Sequence, residues 1–340
     1  MKTIFFILFA FSMRCFCCAP VWDEDNGPVK IQGEKSLIVW DQQSQKEHFF
    51  RSVTFHGSGK ESGFIVPVPA VPEVADAGDD LFNQLDNAIE NERPKDYVFF
   101  KMVKKMLTRA AEKSLGSVDG LGSAVPGGVS VLAEYQLANY DVKIIEATSI
   151  EPLKNWLEEN KFKMRTQLAD WLESYLQQKW IFAVFVFRPA ENETTFSTKA
   201  VRISFSTNRP VYPYKEPLDD LPETNRILNL YLLAATQFNP ELSDGETKNW
   251  TGPEYSLKIK ASVPEIVKVS SKEKWLTVWK DVTPTGKRPY RDLYFKPIEN
   301  SQEVLPYPPV QVDLGPYVAW AVLILILTLI GYRVARKSRK

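Results

Sequence analysis

Ser36-Leu-Ile-Val-Trp-Asp41, His48-Phe-Phe-Arg-Ser-Val-Thr-Phe-His56 and Gly63-Phe-Ile-Val-Pro-Val-Pro69 are apolar-rich runs separated by short polar or glycine-containing breaks. β-Branched and aromatic residues in runs of this length, with turn formers between them, predict three strands in an antiparallel meander. The third run continues as Pro67-Val-Pro69-Ala-Val-Pro72. Proline donates no ladder hydrogen bond, so this strand is expected at a sheet edge or leaving the sheet.

Downstream, helical and extended periods alternate. Asp79 to Asn91 carries Leu81, Phe82, Leu85 and Ile89 at helical spacing, with Asp79 and Asp80 placed where a helix start favours negative charge. A second helix is predicted over Lys95 to Lys113, with Val98, Phe99, Met102, Met106 and Leu107 as its apolar stripe. Gly116 to Gly128, with five glycines and a proline, reads as a flexible connector; no Gly-Lys-Ser/Thr ends it, so it is not a phosphate loop. Strands are then expected over Val129 to Leu137 and Tyr140 to Thr148. Ser149 is a candidate cap for a helix through Leu153, Trp156 and Leu157, and a further helix, Thr166 to Gln178, presents Leu168, Trp171, Leu172, Tyr175 and Leu176 on one side. Trp180 to Arg188 is continuously apolar, as a strand buried on both faces would be. Lys199 to Ser206 alternates and reads as a half-exposed partner strand, and Trp275 to Trp279 as another strand. Arg226 to Phe238 fits both periods and stays open between strand and helix.

The two ends are of a different kind. Met1-Lys2 followed by the apolar run Thr3 to Met13 has signal-peptide form, and the small residues Cys15 and Cys17 suit processing near Cys18. All three cysteines lie there, so the body is not a disulfide scaffold. Leu314 to Tyr332 is uncharged and is followed by Arg333, Arg336, Lys337, Arg339 and Lys340. Such a helix is about 28 Å long, close to the ~30 Å hydrocarbon core of a bilayer. It predicts a single-pass plasma-membrane anchor with the basic tail in the cytoplasm and the bulk of the chain extracytoplasmic. Tyr317, Trp320 and Tyr332 would sit at the interfaces, and Arg333, Arg336 and Lys337 would hold the cytoplasmic flank. The expected organisation is a signal peptide (1–18), an N-terminal ectodomain part with the meander and helices (19–115), the glycine-rich connector (116–128), a C-terminal α+β part (129–295), a proline-rich stalk (296–313), the transmembrane helix (314–332) and the tail (333–340). The fold class is α+β: antiparallel sheets with helices packed on them, plus the one C-terminal transmembrane helix.

Forty-two basic and 42 acidic residues give no net charge, but seven of the basic residues lie in the leader and tail. Removing them leaves 35 against 42, a balance of minus seven that makes the body a poor nucleic-acid binder. The apolar fraction of 44% and charged fraction of 25% are those of an ordinary globular core and surface, so the body is expected to fold.

Chemistry-bearing patterns are sparse. The only two histidines, His48 and His56, fall on one predicted strand, about 26 Å apart if it is straight, too far to share a metal. His-Glu-x-x-His, Gly-x-Ser-x-Gly and Ser-x-x-Lys arrangements are absent. Asp76, Asp79 and Asp80 do not follow calcium-loop spacing and read as a helix-start cluster. Asn192-Glu-Thr194 and Asn249-Trp-Thr251 fit the glycosylation pattern and suggest exposed loops. The residues therefore nominate no catalytic, cofactor-binding or metal-binding set.

Cys17-Cys18-Ala19-Pro20, Gly63-Phe-Ile-Val-Pro-Val-Pro69, Tyr140-Asp-Val-Lys-Ile-Ile-Glu-Ala147, Leu153-Lys-Asn-Trp-Leu-Glu-Glu-Asn160, Tyr175 ahead of Lys179-Trp-Ile-Phe-Ala-Val184, and Val201-Arg-Ile-Ser-Phe205 leading to Pro210-Val-Tyr-Pro213 form an ordered series. Together they resemble the bacterial envelope proteins grouped as domain of unknown function 2330, over roughly residues 17 to 300. The resemblance implies an exported, often membrane-tethered bacterial protein, and brings no catalytic residue with it. Its proline and tyrosine elements shape backbone more than chemistry. The leading expectation is a non-catalytic ectodomain whose partners are the bilayer and an envelope protein or polymer. An envelope hydrolase using sequence-distant carboxylates and an accessory subunit of a membrane complex remain as alternatives.

Overall fold

A computed structural model describes residues 20–22, 30–57, 62–78, 80–92, 95–97, 130–137, 140–160, 162–187, 194–217, 226–243, 250, 252–260, 263–270, 273–283, 290–305, 310–312, 324 and 328. The chain opens with β1 (Pro20–Trp22), β2 (Lys30–Asp41), β3 (Lys46–His56), β4 (Ser62–Val68) and β5 (Glu73–Asp76), followed by α1 (Leu81–Glu92) and β6 (Lys95–Tyr97). Next come β7 (Ser130–Leu137), β8 (Tyr140–Glu146), α2 (Ile150–Glu159), α3 (Thr166–Leu176) and β9 (Ile181–Phe187). The strands β10 (Thr195–Ser197), β11 (Val201–Ser206), β12 (Val211–Tyr212), β13 (Ile227–Ala234), β14 (Phe238–Leu242) and β15 (Tyr255–Lys260) lead to the short helix α4 (Pro264–Val267). After it lie β16 (Glu273–Asp281), β17 (Leu293–Pro297) and β18 (Val310–Val312). The fold is mostly β, with antiparallel sheets and a few helices.

Contacts divide the chain into two compact units, Met1–Ala88 with Val118–Val304, and Ile89–Ser117 with Leu305–Lys340. In the second, the described strands β6 and β18 run side by side in parallel. The first unit holds the remaining sheets. Its large sheet runs β15-β16-β13-β2-β3-β11-β5, with β10 also on β3; a second runs β1-β4-β9-β8-β7, and a small third is β12-β17-β14. Segments on either side of residues 116–128 thus share sheets: β2 pairs β13, β3 pairs β11 and β4 pairs β9.

Period-two alternation decides which side of the large sheet is interior. Phe49, Arg51, Val53 and Phe55 of β3 turn toward the second sheet, where Phe55 lies 6.1 Å from Phe64 and 5.0 Å from Phe187. Phe64 stacks on Phe185 at 4.7 Å, and Tyr140 meets both edge-on at 6.0 and 5.6 Å. These rings fill the space between the sheets with the large apolar areas and offset or edge-on geometries that aromatic groups favour. On the opposite side of the large sheet lies α1: Phe82 is 6.0 Å from Tyr231, and Asp86 receives hydrogen bonds from Tyr231 (3.0 Å) and Lys35 (2.8 Å).

Much of the sequence reading holds, including α1, α2, α3, β7, β8, β16 and the doubly buried β9. Several expectations are corrected. The three runs between Ser36 and Pro69 do not form one meander: β2 and β3 pair, but β4 crosses to the second sheet, between β1 and β9. Its proline obeys the expected rule locally, because β1 reaches only Ser62 to Phe64 and leaves Pro67 paired on one side, with Phe182. Residues 226–238 resolve to strand over β13, because β13 lies between β2 and β16 and is buried on both faces from Leu230 to Ala234; its pairing with β2 is parallel. β11 is more enclosed than its alternation suggests, being flanked by β3 and β5. Ser149 stands at the N-cap of α2 without a side-chain capping bond. The helix expected from Lys95 begins instead as a strand over Lys95–Tyr97, and its remainder, residues 98–113, lies outside the described residues.

Of the stalk expected over 296–313, residues 306–309 and 313 lie outside the described residues, and the part from Lys296 to Val304 is paired with the fold. Lys296 and Pro297 belong to β17 and pair β14, Ile298 N donates to Gln237 O, and Val304 exchanges backbone hydrogen bonds with Ser256. Pro297 pairs Phe238 of β14, at the edge of the small sheet. The signal peptide (1–18), the connector (116–128) and the basic tail (333–340) lie outside the described residues, as do residues 314–332 except Ile324 and Thr328. Among the described residues no helix is long and apolar enough to cross a membrane.

The aromatic cluster supplies a stability test. Replacing Phe64 by Ala removes a fully enclosed ring that touches rings from both sheets, and should lower the unfolding free energy by about 3–5 kcal/mol in urea titrations.

Candidate functional site

The densest polar constellation is buried. Pro210-Val-Tyr-Pro-Tyr-Lys-Glu-Pro217 runs through the interior with every residue buried, and only Val211–Tyr212 in regular strand. A buried extended segment must satisfy its polar groups without water. Three of its eight residues are prolines and bring no N–H. Carboxyl groups from elsewhere take up others: Val211 N donates to Glu47 Oε2 (2.8 Å), Tyr212 Oη to Glu34 Oε1 (2.7 Å), Tyr214 Oη to Asp281 Oδ2 (2.9 Å) and Lys215 N to Asp292 Oδ1 (3.4 Å). From the helical side, Trp171 Nε1 of α3 donates to Lys215 O at 2.9 Å.

Glu34 is the centre of this network. Its Oε1 accepts from Arg51 Nε (2.9 Å), Ser36 Oγ (2.7 Å) and Tyr212, while Oε2 accepts from Arg51 Nη2 (3.1 Å) and Arg226 Nη2. Arg226 continues to Glu216 Oε1 at 2.9 Å, and the Arg51 guanidinium lies 4.6 Å over the Phe64 ring. Burial favours the neutral acid, but the two guanidinium charges and the hydrogen bonds from Arg51 and Tyr212 outweigh it and hold the Glu34 carboxyl far below the usual carboxylate range. The Glu34–Arg51–Arg226 side chains are all 0% exposed, so this ionic centre joins sheets and does not meet solutes.

Two other acids differ. Burial raises Glu47 well above its ordinary value, opposed by the Val211 N–H, and so favours its neutral form. Asp292 is also raised by burial, against the pull of Lys215 Nζ at 3.4 Å and the hydrogen bond from Tyr175 Oη at 2.7 Å; burial likewise lowers Lys215. Raised carboxyl pKa values often mark general acids. These two are enclosed.

The fold does assemble one serine–histidine pair. His48 Nδ1 lies 2.9 Å from Ser204 Oγ across the β3–β11 ladder, on the outer face of the large sheet. Burial, then the charges of Lys46 and Arg202, lower His48 to about 4, so it is neutral at physiological pH. Ser204 is only 2% exposed, closed to an incoming carbonyl. His56 sits at the far end of the strand with Nδ1 2.9 Å from Thr195 Oγ1. Asp80 Oδ1 accepts from Asn83 Nδ2 at 2.6 Å, in keeping with a helix-start role.

Among the described residues, an open concavity lies on the outer face of the large sheet where α1 begins. It encloses about 660 Å³. Gly33 and Lys35 of β2, Ser52 and Thr54 of β3, and Ile227 and Asn229 of β13 form its floor; the first turn of α1 and the β10–β11 link form its walls. Sequence reading missed this trough because its residues come from five separated segments, four at strand ends or links and one at the start of a helix. It likewise missed the buried network, although Pro210-Val-Tyr-Pro213 had already stood out as a backbone-shaping element. Of the residues nominated from sequence as anchors, Tyr317, Trp320, Tyr332, Arg333, Arg336 and Lys337 all lie outside the described residues.

Two titrations follow. Glu47 has an ordinary value of 4.5 and a far higher one when folded, so its contribution to stability is complete below pH 4.5 and is lost as pH rises toward the folded value. Glu47→Gln removes that loss, and its melting temperature relative to wild type should be higher at pH 8 than at pH 5. For His48 the folded value is depressed from 6.5 to about 4, so its contribution is present above 6.5 and fades as pH falls toward 4. One of the two imidazole Cε1–H resonances, assigned by its loss in His48→Gln, should titrate with a midpoint near 4.

No curated protein matches the chain. Among solved structures, baculovirus P35 matches with 9% identity, 81% of this chain and 96% of that one covered, and a TM-score of 0.37. A mutated baculovirus P35 after caspase cleavage matches with 10% identity, coverages of 80% and 98%, and a TM-score of 0.34. P35 in its complex with caspase-8 matches with 10% identity, coverages of 80% and 94%, and a TM-score of 0.29. Scores this low decide nothing about fold or activity. Residues 11–285 match the family model DUF2330, an uncharacterized protein conserved in bacteria, and the chain belongs to that family.

Proposed function

We propose that the protein is a membrane-anchored ectodomain of the bacterial envelope that binds another envelope component and performs no chemistry of its own. One observation carries the preference for binding over catalysis: the titratable groups that converge are sealed inside. Glu34, Arg51 and Arg226 have no exposed side-chain surface, and Lys215 and Asp292 have 7% and 4%. A hydrolase built on two carboxylates needs one that is both raised and reachable. Glu47 and Asp292 are raised but enclosed.

The tethered topology is supported by the uncharged stretch Leu314 to Tyr332 with its basic flank, and by the apolar leader. In this reading Tyr317, Trp320 and Tyr332 lie at the lipid interfaces, and Arg333, Arg336 and Lys337 face the cytoplasm. The negative balance of the body disfavours nucleic acid as a partner.

The topology is tested with full-length protein in a bacterial host. It should remain in the membrane pellet after alkaline carbonate extraction and be cleaved by protease added to spheroplasts, while a variant ending at Asp313 should be released. Full-length protein that carbonate extracts, or that protease cannot reach in spheroplasts, would overturn the reading.

A further inference from the structure

The outer face of the large sheet changes character along its strands. Under α1 the face is apolar: Leu37 and Val39 of β2, Phe50 of β3 and Leu233 of β13 are fully buried. Two to six residues further along, on the same face by period-two alternation, it presents Lys35 and Gly33, Ser52 and Thr54, and Asn229 and Ile227. The switch coincides with the start of α1 and opens into the trough of about 660 Å³, within the ~300–1,000 Å³ typical of small-molecule sites.

We propose that this trough binds a hydroxyl-rich saccharide segment of the envelope. The inference rests on the reading of the chain as a binding ectodomain, and names the site and the ligand class. A sugar hydroxyl both donates and accepts, and the trough supplies groups that do the same. Thr54 Oγ1 and Ser197 Oγ are 2.8 Å apart, and Ser52 Oγ donates to Thr198 O at 2.8 Å; each hydroxyl keeps lone pairs for a ligand. The Asn229 amide forms no hydrogen bond among the described residues and offers two donors and an acceptor on the floor. Beside it Ile227, 44% exposed, gives an apolar surface of the kind the C–H face of a pyranose covers.

Charge argues against a polyanion. Lys35 is engaged with Asp86 at 2.8 Å, the lining carries Lys199 and Asp80 with opposite charges, and Glu34 beneath is neutralised by Arg51 and Arg226. Gly33 keeps the floor open. A Cβ there would make only ordinary contacts, 3.8 Å from Thr54 Cβ and 3.9 Å from Ile227 O, so the backbone accepts a side chain while a long one occupies the trough.

The test uses full-length protein in a sugar-free detergent, with chitotriose and cellotriose as probes and pyrophosphate as the anionic comparator, read by calorimetry. At least one trisaccharide should bind saturably, pyrophosphate should not compete, and Gly33→Leu and Asn229→Ala should each weaken binding about tenfold or more, while Gly33→Ala keeps it. Melting curves establish that each variant is folded; should Gly33→Leu fail to fold, Asn229→Ala decides. Absence of saturable binding by both trisaccharides, competition by pyrophosphate, or affinity unchanged in the folded variants would overturn the proposal. Since the assay needs no membrane, its failure is distinct from failure of the tethered topology.

Discussion

The structure depends on one carboxylate under two guanidinium groups. Glu34 draws Arg51 from β3, Arg226 from the entry to β13 and Tyr212 from the buried segment onto a single pair of oxygens. Removing a charge from water is costly, and a buried ion pair recovers that cost only when geometry and further hydrogen bonds are good. Five donors on Glu34, and Glu216 behind Arg226, supply that geometry. Such a centre contributes less net stability than apolar packing of equal volume would. What it adds is uniqueness, because a register slip of one residue on β2 or β3 would strand a charge in the core.

The same logic explains the segment from Pro210 to Pro217. An irregular stretch inside a protein is usually excluded by its polar backbone. Prolines lower the number of donors, and Glu47, Glu34, Asp281 and Asp292 each take one from the segment. The acidic side chains that could have formed a catalytic group are thereby committed to architecture. The outer surface of the large sheet, in contrast, carries serine, threonine and asparagine where its strands line the trough.

Local elements were legible in the sequence wherever periodicity was strong. β9 showed as an unbroken apolar run and α3 as a helical stripe of Trp171, Leu172 and Tyr175, and both are buried as their patterns require. Pairing was not legible. Nothing local in Gly63 to Pro69 distinguishes a third meander strand from one that crosses to another sheet, and Arg226 to Phe238 became a strand because neighbours on both sides bury it. The buried charges were invisible for the same reason: Glu34, Arg51 and Arg226 each look like surface residues until the sheets close over them. Prolines after Lys296 suggested a spacer, yet backbone pairing to Gln237 and Ser256 holds Ile298 and Val304 against the fold.

The parallel pairing of β2 with β13 has a consequence for how the chain matures. Gly33 must find Ile227, and Ser62 must find Phe187, so both principal sheets close over long stretches of sequence. High contact order slows folding, because loop-closure entropy is lost before the distant contacts repay it. A nascent chain emerging amino end first carries the apolar faces of β2 and β4 unmatched until most of the polypeptide has left the ribosome. During that interval those unpaired strands are open to pairing with other chains, the aggregation hazard of slowly closing sheets.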